Sequence, residues 1–498
     1  MGEERELSGD SGDRVEQQNV RLAKRKRFLD LGLQPFPVSL PITHKISEIR
    51  RNFGELRPEQ ESGQFVGVAG RIVHIRITGK LAFVSLQEGS GERLQAMFSL
   101  ANLGEDSFEQ FRSLVDLGDH LFVEGEVISS KRGELSVMAR QWEMAAKAIR
   151  PLPNLHSDLS EEMRVRERYL DLIVREEARK MVRARSAVNA SLRETFRDLG
   201  FLEVETPMLQ IQHGGASARP FVTRSNAFDT DLFLRIAPEL FLKRTVVGGI
   251  ERVFEINRNF RNEGSDSTHS PEFAMLEAYQ AYGDYNQMAD LTQELIQKAA
   301  IAVHDSTTVA WSDGSSFDLG GQWDRISLYQ SLSNAVGFEI NSATKLRDLE
   351  KEAKKVGIEL EQPSAGKFVE KLWEFYVAGS LTRPTFVFDF PVETSPLVRQ
   401  HRERAGVAEK WDLYVRGFEL ATGYSELVDP VIQRERLEAQ AKLAVKGDVE
   451  AMTIDDDFLT ALEHGMPPTG GMGMGIDRLL MCITGLGIRE TVLFPLVK

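Results

Sequence analysis

Two nearly consecutive stretches, "RVFEINRNFRNE" (Arg252–Glu263) and "EFAMLEAYQAY" (Glu272–Tyr282), alternate apolar and polar residues with the period of a β-strand. Successive side chains of a strand point to opposite faces. Glu255, Asn257, Asn259, Arg261 and Glu263 therefore share one face, and Phe254, Ile256 and Phe260 the other. In the second stretch Phe273, Met275, Glu277 and Tyr279 fall together. Strands also read at "DLFLRIAPEL", "TFVFDFPV" and "WDLYVRGFELATGYSEL", and their tight succession predicts an antiparallel sheet more than repeated βαβ units. Its apolar face would rest on helices and its charged face would be a binding floor. The plain alternative is a solvated face, common in antiparallel sheets. Further charge and glycine patterns in the same half of the chain favour the floor.

The rest of the chain sets the context. Its 498 residues allow about three domains. With 27% charged and 42% hydrophobic residues the composition is that of an ordinary globular protein. No run reaches the ~18 apolar residues of a membrane span, and the acidic "MGEERELSGDSGD" is no secretory signal. Cys482 is the single cysteine, so no intrachain disulfide forms, which fits a reducing cytosol. A net charge of −14 argues against a chain coated in nucleic acid, while leaving room for a local basic patch. Residues up to about Arg14 read as a disordered tail. "VEQQNVRLAKRKRFLDL", Val15 to Leu31, reads as a helix stopped by Gly32, Pro35 and Pro37. Its basic cluster Arg21, Lys24, Arg25, Lys26 and Arg27 suits either a solvated face or RNA phosphates.

From Gln64 to Ala145 the pattern is three strands, a helix and two strands, the order of an OB-type barrel. Val84 and Leu86 share one face of the second strand, and Phe83, Ser85 and Gln87 the other. Phe83 is thus an aromatic on a polar face, where OB domains stack bases; an incidental exposed phenylalanine is the plainer alternative. "AIRPLPNLHSDLS" (Ala148–Ser160) reads as a linker, and one α+β domain follows. Near its end "GGMGMGIDRLLMCITG" lacks the context of a dinucleotide fold and has no phosphate loop. Its glycines lead into a helix opening with Asp477 and Arg478, so a ligand can approach the backbone while Arg478 meets an anion.

Taken together, "FLEVETPML", "FRNEGSDSTHSPEF" and "GMGMGIDRLL" resemble motifs 1, 2 and 3 of class II aminoacyl-tRNA synthetases. "RVRERYLDL", "HGGASARPF", "RIAPELFLKR" and "GYSELVDP" narrow the resemblance to the bacterial-type lysyl-tRNA synthetases, from the helix near Val15 to the end of the chain. The implied fold class is α+β: an N-terminal OB-fold β-barrel followed by a class II synthetase domain with an antiparallel sheet flanked by helices. The implied domains are a tail and basic helix (1–62), an anticodon-binding OB-fold (63–147), a linker (148–160) and the catalytic domain (161–498).

The resemblance implies roles residue by residue. Arg261 would bridge the ATP α-phosphate and the amino-acid carboxylate, and Arg478 would hold the γ-phosphate; both are the catalytic candidates. Glu263 and His269 would help bind ATP, with Phe273 stacked on adenine. Asp412 and Glu419, flanking the apparent hairpin "LYVRGF", would hold Mg2+, Glu419 being also an ATP contact. Glu277, Glu426 and Tyr279 would bind the lysine ε-ammonium, Gly215 and Glu239 its α-amino group, and Tyr424 its stem. Thr422, Tyr424 and Glu426 fall on one face at period two, but Glu419 falls out of that phase and needs an irregularity. Arg76, Phe83, Gln95 and Glu134 match the anticodon-reading pattern. Two positions depart from the family: Thr422 stands near the substrate carboxylate where many members have asparagine, and Ile75 where a basic residue is common. The implied activity is ATP- and Mg2+-dependent lysylation of tRNA(Lys) by a cytoplasmic homodimer, with no membrane partner. Rivals are an aspartyl- or asparaginyl-tRNA synthetase, whose pocket would need cations where Glu277 and Glu426 stand, a paralogue that lysylates elongation factor P but lacks the OB domain, and a non-catalytic RNA-binding protein.

Overall fold

The computed structural model describes residues 8–153, 159–264, 269–311, 314–445 and 452–497. They form two compact units, Met1–Arg179 and Lys180–Lys498. In the first, five strands (Glu61–Thr78, Leu81–Gln87, Arg93–Ser99, His120–Ser129 and Leu135–Ala146) close a barrel, with helices Leu100–Leu103 and Glu105–Leu114 between the third and fourth. The alternation works as read: Val84 and Leu86 are buried, Phe83 and Ser85 only half so. The leading helix starts earlier than its sequence suggests, at Ser8, and ends at Asp30. Once a helix is nucleated each further residue adds a bond at little cost. Two of its basic residues face the barrel, not solvent. Arg21 donates to Leu117 O at 2.9 Å and Ala148 O at 3.0 Å, and Lys24 pairs with Asp116 at 2.6 Å.

The second unit carries an eight-stranded sheet in the order Asp324–Ser327, Thr385–Pro391, Val407–Val415, Phe418–Ser425, Thr469–Gly475, Glu272–Ala281, Arg252–Phe260, Leu202–Glu203. Its six central strands pair antiparallel and each edge strand joins in parallel. One face holds the apolar half of every alternation: Ala274, Leu276 and Ala278, then Met472 and Met474, then Trp411 and Leu413, all buried in one core. Three helices cover it, one of them Ile476–Thr484 with Ile476, Leu479, Leu480 and Ile483. Glu176–Asp198 contributes Ala184, Val188, Leu192 and Phe196 at four-residue spacing, which puts them on one stripe. Tyr285–His304 is opened by a capping box of Asp284 and Gln287, and brings Met288, Leu295 and Ile296.

The run "GGMGMG", read from its sequence simply as glycines leading into a helix, is a central strand. Met275, Glu277 and Tyr279 stand opposite Gly475, Gly473 and Gly471, so the glycines occupy the floor and the methionines the core. The motif 1 segment forms less strand than its sequence suggests, only Leu202–Glu203 beside Val253 and Phe254. Pro207 then removes a donor and turns the chain away.

Gly423 is opposite Trp411 across the Val407–Val415/Phe418–Ser425 hairpin, and a Cβ there would sit inside the indole. The indole is anchored, its Nε1 donating to Tyr285 O at 2.6 Å. Gly423→Ala is therefore expected to lower unfolding stability by about 1–3 kcal/mol. Urea unfolding checks this; an unchanged midpoint would mean that the indole yields freely.

Candidate active site

The polar face of the sheet floors a cavity of about 350 Å3. Residues 265–268 of the motif 2 connection lie outside the described residues. Of the predicted site residues in this unit, all but Glu426 line the cavity. They arrive from separate places: Gly215 from a loop, Glu239 from helix Glu239–Val247, Phe273, Glu277 and Tyr279 from one strand, Asp412, Thr422 and Tyr424 from the hairpin, and Arg478 from the helix after the glycine strand.

Arg261 leaves the strand at its end, where its N–H donates to Pro271 O at 2.9 Å. Its guanidinium lies 5.1 Å from the Phe273 ring centroid, and its buried Nε has no hydrogen-bond partner among the described residues. Glu263, Glu277 and Glu419 surround it and oppose the loss of charge that burial favours. Arg478 donates to Glu419 O at 2.7 Å, and His269 Nε2 stands 3.5 Å from its other terminal nitrogen. Its neighbour Asp477 is buried and accepts from Ala274 N at 2.8 Å and from Arg185, which locks the first turn of that helix onto the floor.

The irregularity demanded by the phase of Glu419 is present. Asp412 pairs with Thr422 and Leu413 with Ala421, but Tyr414 pairs with Glu419, leaving Leu420 as an extra residue turned into the core. Such a bulge re-aims side chains, and it brings Glu419 to the face of Asp412. Burial pushes the Asp412 carboxyl up to about 6, with Lys410 opposing and the charge of Glu419 adding. Lys410 Nζ lies 3.1 Å from Asp412 Oδ2. The Thr422 hydroxyl donates to Asp412 Oδ1 at 2.6 Å, so its one proton is used there. Two hard carboxylates whose like charges disfavour one another fit a magnesium ion that keeps water and phosphate in its remaining positions. Among the described residues no group of three or more His, Cys, Asp or Glu could hold an ion by itself.

Glu277 is buried directly opposite Glu255 on the neighbouring strand. Glu255 is neutralised by Arg235 at 2.7 Å and accepts from Thr206 Oγ1 at 2.6 Å. Among the described residues Glu277 accepts from the Tyr279 hydroxyl alone, at 3.2 Å. Burial pushes its carboxyl up to about 8, the charge of Glu239 adds to the rise, and Tyr279, Arg235 and Arg261 pull it down. Glu426 borders a second cavity with Arg399, Arg402 and Glu409. It is linked to Glu239 through Lys243, a residue that the sequence reading passed over. The four-residue spacing of Glu239 and Lys243 on a helix was the available signal.

In the barrel, Arg76 and Phe83 are cross-strand neighbours, and Gln95 lies one strand further, diagonal to Phe83. Gln95 Nε2 donates to Ser136 Oγ at 2.8 Å, and Glu134 precedes that serine in the turn, 3.3 Å from Arg50. The four predicted anticodon residues thus form one continuous stripe across adjacent strands.

Comparison with known proteins agrees with this geometry. Residues 160–498 match the family described as tRNA synthetases class II (D, K and N), and residues 66–145 match the OB-fold nucleic acid binding domain. The chain is 64% identical over 488 residues to the lysine–tRNA ligase of Kineococcus radiotolerans, covering 98% of each, and 59% identical over 495 residues to that of Mycolicibacterium gilvum, covering 99% of each. It is also 47% identical over 489 residues to the lysylphosphatidylglycerol biosynthesis bifunctional protein LysX of Mycobacterium avium, there spanning 97% of this chain and 41% of the relative. A charged sheet floor, a glycine strand leading to Arg478, an OB barrel and full-length identity point one way: the chain belongs to the class II lysyl-tRNA synthetases.

Proposed function

We propose that the cavity floor activates L-lysine with ATP and passes it to tRNA(Lys), using the residues assigned above. The observation that carries this reading is Arg261, whose guanidinium lines the cavity floor and whose buried Nε has no hydrogen-bond partner among the described residues, a charge placed to meet an anion in the cavity. The lysine carboxylate oxygen attacks the α-phosphorus, the bond to pyrophosphate breaks, and lysyl-adenylate forms. A terminal ribose hydroxyl of tRNA then attacks the activated carbonyl and AMP leaves. Arg261 bridges carboxylate and α-phosphate, and Arg478 takes the γ-phosphate; their planar forks suit both anions. His269 and Glu263 flank the nucleotide, and Phe273 offers its half-exposed ring to adenine. Magnesium, held by Asp412 and Glu419, would supply charge neutralisation on the phosphates. Thr422 orients Asp412 through its hydroxyl.

Lysine is selected by carboxylates: Glu277 with Tyr279, and Glu426 behind them, for the ε-ammonium; Gly215 and Glu239 for the α-amino group; Tyr424 along the stem. Gly215 adopts φ +86° and lies against Glu239, a backbone conformation that disfavours any larger residue. The OB stripe reads the anticodon, with Arg25, Lys26 and Arg27 of the leading helix available to phosphates. The functional divisions follow the sequence boundaries 1–62, 63–147, 148–160 and 161–498. Exposed Leu202, Leu209 and Ile211 in motif 1 support a homodimer. We place the protein in the cytoplasm; no described helix is long and apolar enough to cross a membrane.

Arg261→Ala should cut lysine-dependent pyrophosphate exchange by roughly 100-fold or more while the protein stays folded, because the lost charge acts where charge develops. Activity within a few-fold of wild type would remove Arg261 from the reaction. Phe83→Ala should weaken tRNA charging yet leave exchange intact, since about 1–3 kcal/mol of base stacking is lost far from the chemistry. Equal loss in both assays would make Phe83 a structural residue. Finally, Glu277 is neutral below about pH 8 in the free protein but must be anionic to accept an ammonium. Lysine binding must then displace a proton on the acid side, so affinity should climb towards tenfold per pH unit, about its limit, from pH 6 to 8 and flatten above. Titration calorimetry across that range checks the slope, and Glu277→Gln should abolish it.

A further inference from the structure

Lys243 is fully buried beside the cavity, and its environment is complete. Its ammonium lies 2.6 Å from Glu239 Oε1, 2.5 Å from Glu426 Oε2 and 3.5 Å from Leu397 O. It donates to Glu239 and to Leu397 O and is ion-paired with Glu426, so its charge is shared between two carboxylates of the protein itself. Neither Glu426 oxygen accepts a hydrogen bond among the described residues, although both are buried; Oε2 faces the Lys243 ammonium and Oε1 is turned away from it. That oxygen points at Gly471, where a Cβ would collide with it and would also come within 2.7 Å of the Tyr279 ring.

We propose that Lys243 is a specificity-determining positioning residue: a resident counter-cation that leaves the amine-binding side of the lysine-bound pocket, where Glu277 has given up its proton, with two negative charges beyond the one it cancels, the number that the two ammonium groups of lysine neutralise. The inference rests on the lysine-pocket reading above. Three carboxylates, Glu239, Glu277 and Glu426, are buried here, and Lys243 cancels one of them. The remaining neighbours are already balanced. Arg235 is spent on Glu255, and Arg261 carries the charge that the substrate carboxylate cancels. An amino acid with an apolar side chain brings one ammonium and leaves a buried negative charge, which is costly. Lysine leaves none. Lys243 also ties Glu426, at the end of one strand, to Glu239 on its own helix, so both carboxylates are held in place before substrate arrives.

The test is the epistasis of two neutral substitutions, read as the dissociation constant for lysine by calorimetry. Lys243→Met leaves three negative charges against two positive ones, and should weaken lysine binding by roughly 100-fold. Glu426→Gln alone leaves one against two and should also weaken it. The double variant Lys243→Met/Glu426→Gln restores two against two, and should bind lysine at least about five-fold more tightly than Lys243→Met, because it removes the carboxylate left unpaired. A folded double variant that binds no better than the single one overturns the proposal. A merely structural Lys243 would give losses that add.

If Lys243→Met does not fold, proton exchange in the wild type decides. Burial raises the carboxyls of Glu239 and Glu426, and the Lys243 ammonium opposes that rise. If Lys243 prevails, as proposed, lysine binding at pH 7 should release at most one proton, from Glu277, measured in buffers of different ionisation enthalpy. Glu277 is faced by Glu255, Glu239, Arg235, Arg261 and Tyr279, of which the two glutamates are already paired with cations. Release of two protons overturns the proposal. The underlying reading fails separately: if Glu277→Gln leaves lysine affinity unchanged, the lysine pocket is elsewhere.

Discussion

Keeping carboxylates charged inside a sheet is the constraint on which the catalytic unit turns. Removing an ion from water costs several kcal/mol even after the protein relaxes. Glu255 and Glu277 stand opposite one another, a pairing that like charge makes unfavourable. The fold answers asymmetrically. Glu255 receives Arg235, whose other donors hold Arg258 O and Thr206, and becomes part of the scaffold. Glu277 receives, among the described residues, just a phenol, which leaves its charge for a cation to meet. The same division recurs beside it, where Glu239 and Glu426 share Lys243. Binding function is thus what remains after the scaffold has neutralised the charges it needs for itself.

The second device is spatial. A substrate lying across a sheet needs backbone without side chains on one face and dense packing on the other. The alternation of glycine and methionine from Gly470 to Gly475 supplies both, because strand periodicity assigns each residue type to its own face. A Cβ on Gly473 would come within 2.7 Å of the Met275 methyl group, so a larger residue there would have to displace that side chain on the floor. The methionines, unbranched and adaptable, fill the core beneath. The bulge at Leu420 completes the arrangement by placing both acids of the hairpin on one face.

These features also explain what was legible in the sequence. The paired strands from Arg252 to Tyr282 were readable because alternation is a local signal, and so was the order of the barrel strands. The glycine strand was missed because glycine disfavours strands, and here tertiary context overrides that propensity. Arg21 and Lys24 looked available to RNA, yet Arg21 reaches two carbonyls about a hundred residues away in sequence and Lys24 pairs with Asp116. No local pattern encodes such partners. The hydroxyl of Thr422 was expected near the substrate carboxylate, and strand phase put it on the floor as anticipated; its bond to Asp412 depends on cross-strand register. Lys243 escaped notice because, on a helix, a buried lysine and a solvated one look alike.

Charge counting, more than shape, suits the selection of a long flexible amino acid. A four-carbon stem has many rotamers, and a pocket fitted tightly to one of them would have to supply the entropy of freezing it. A hydrophobic pocket distinguishes neighbours by only about 1–3 kcal/mol per methylene. An unpaired buried charge costs more, and it penalises every neutral side chain of similar length at once. The selecting groups must then be dry, and so must their own balance of charge, because solvent would screen both. A counter-cation inside the protein, held between two of its own carboxylates, meets that requirement where a surface ion cannot.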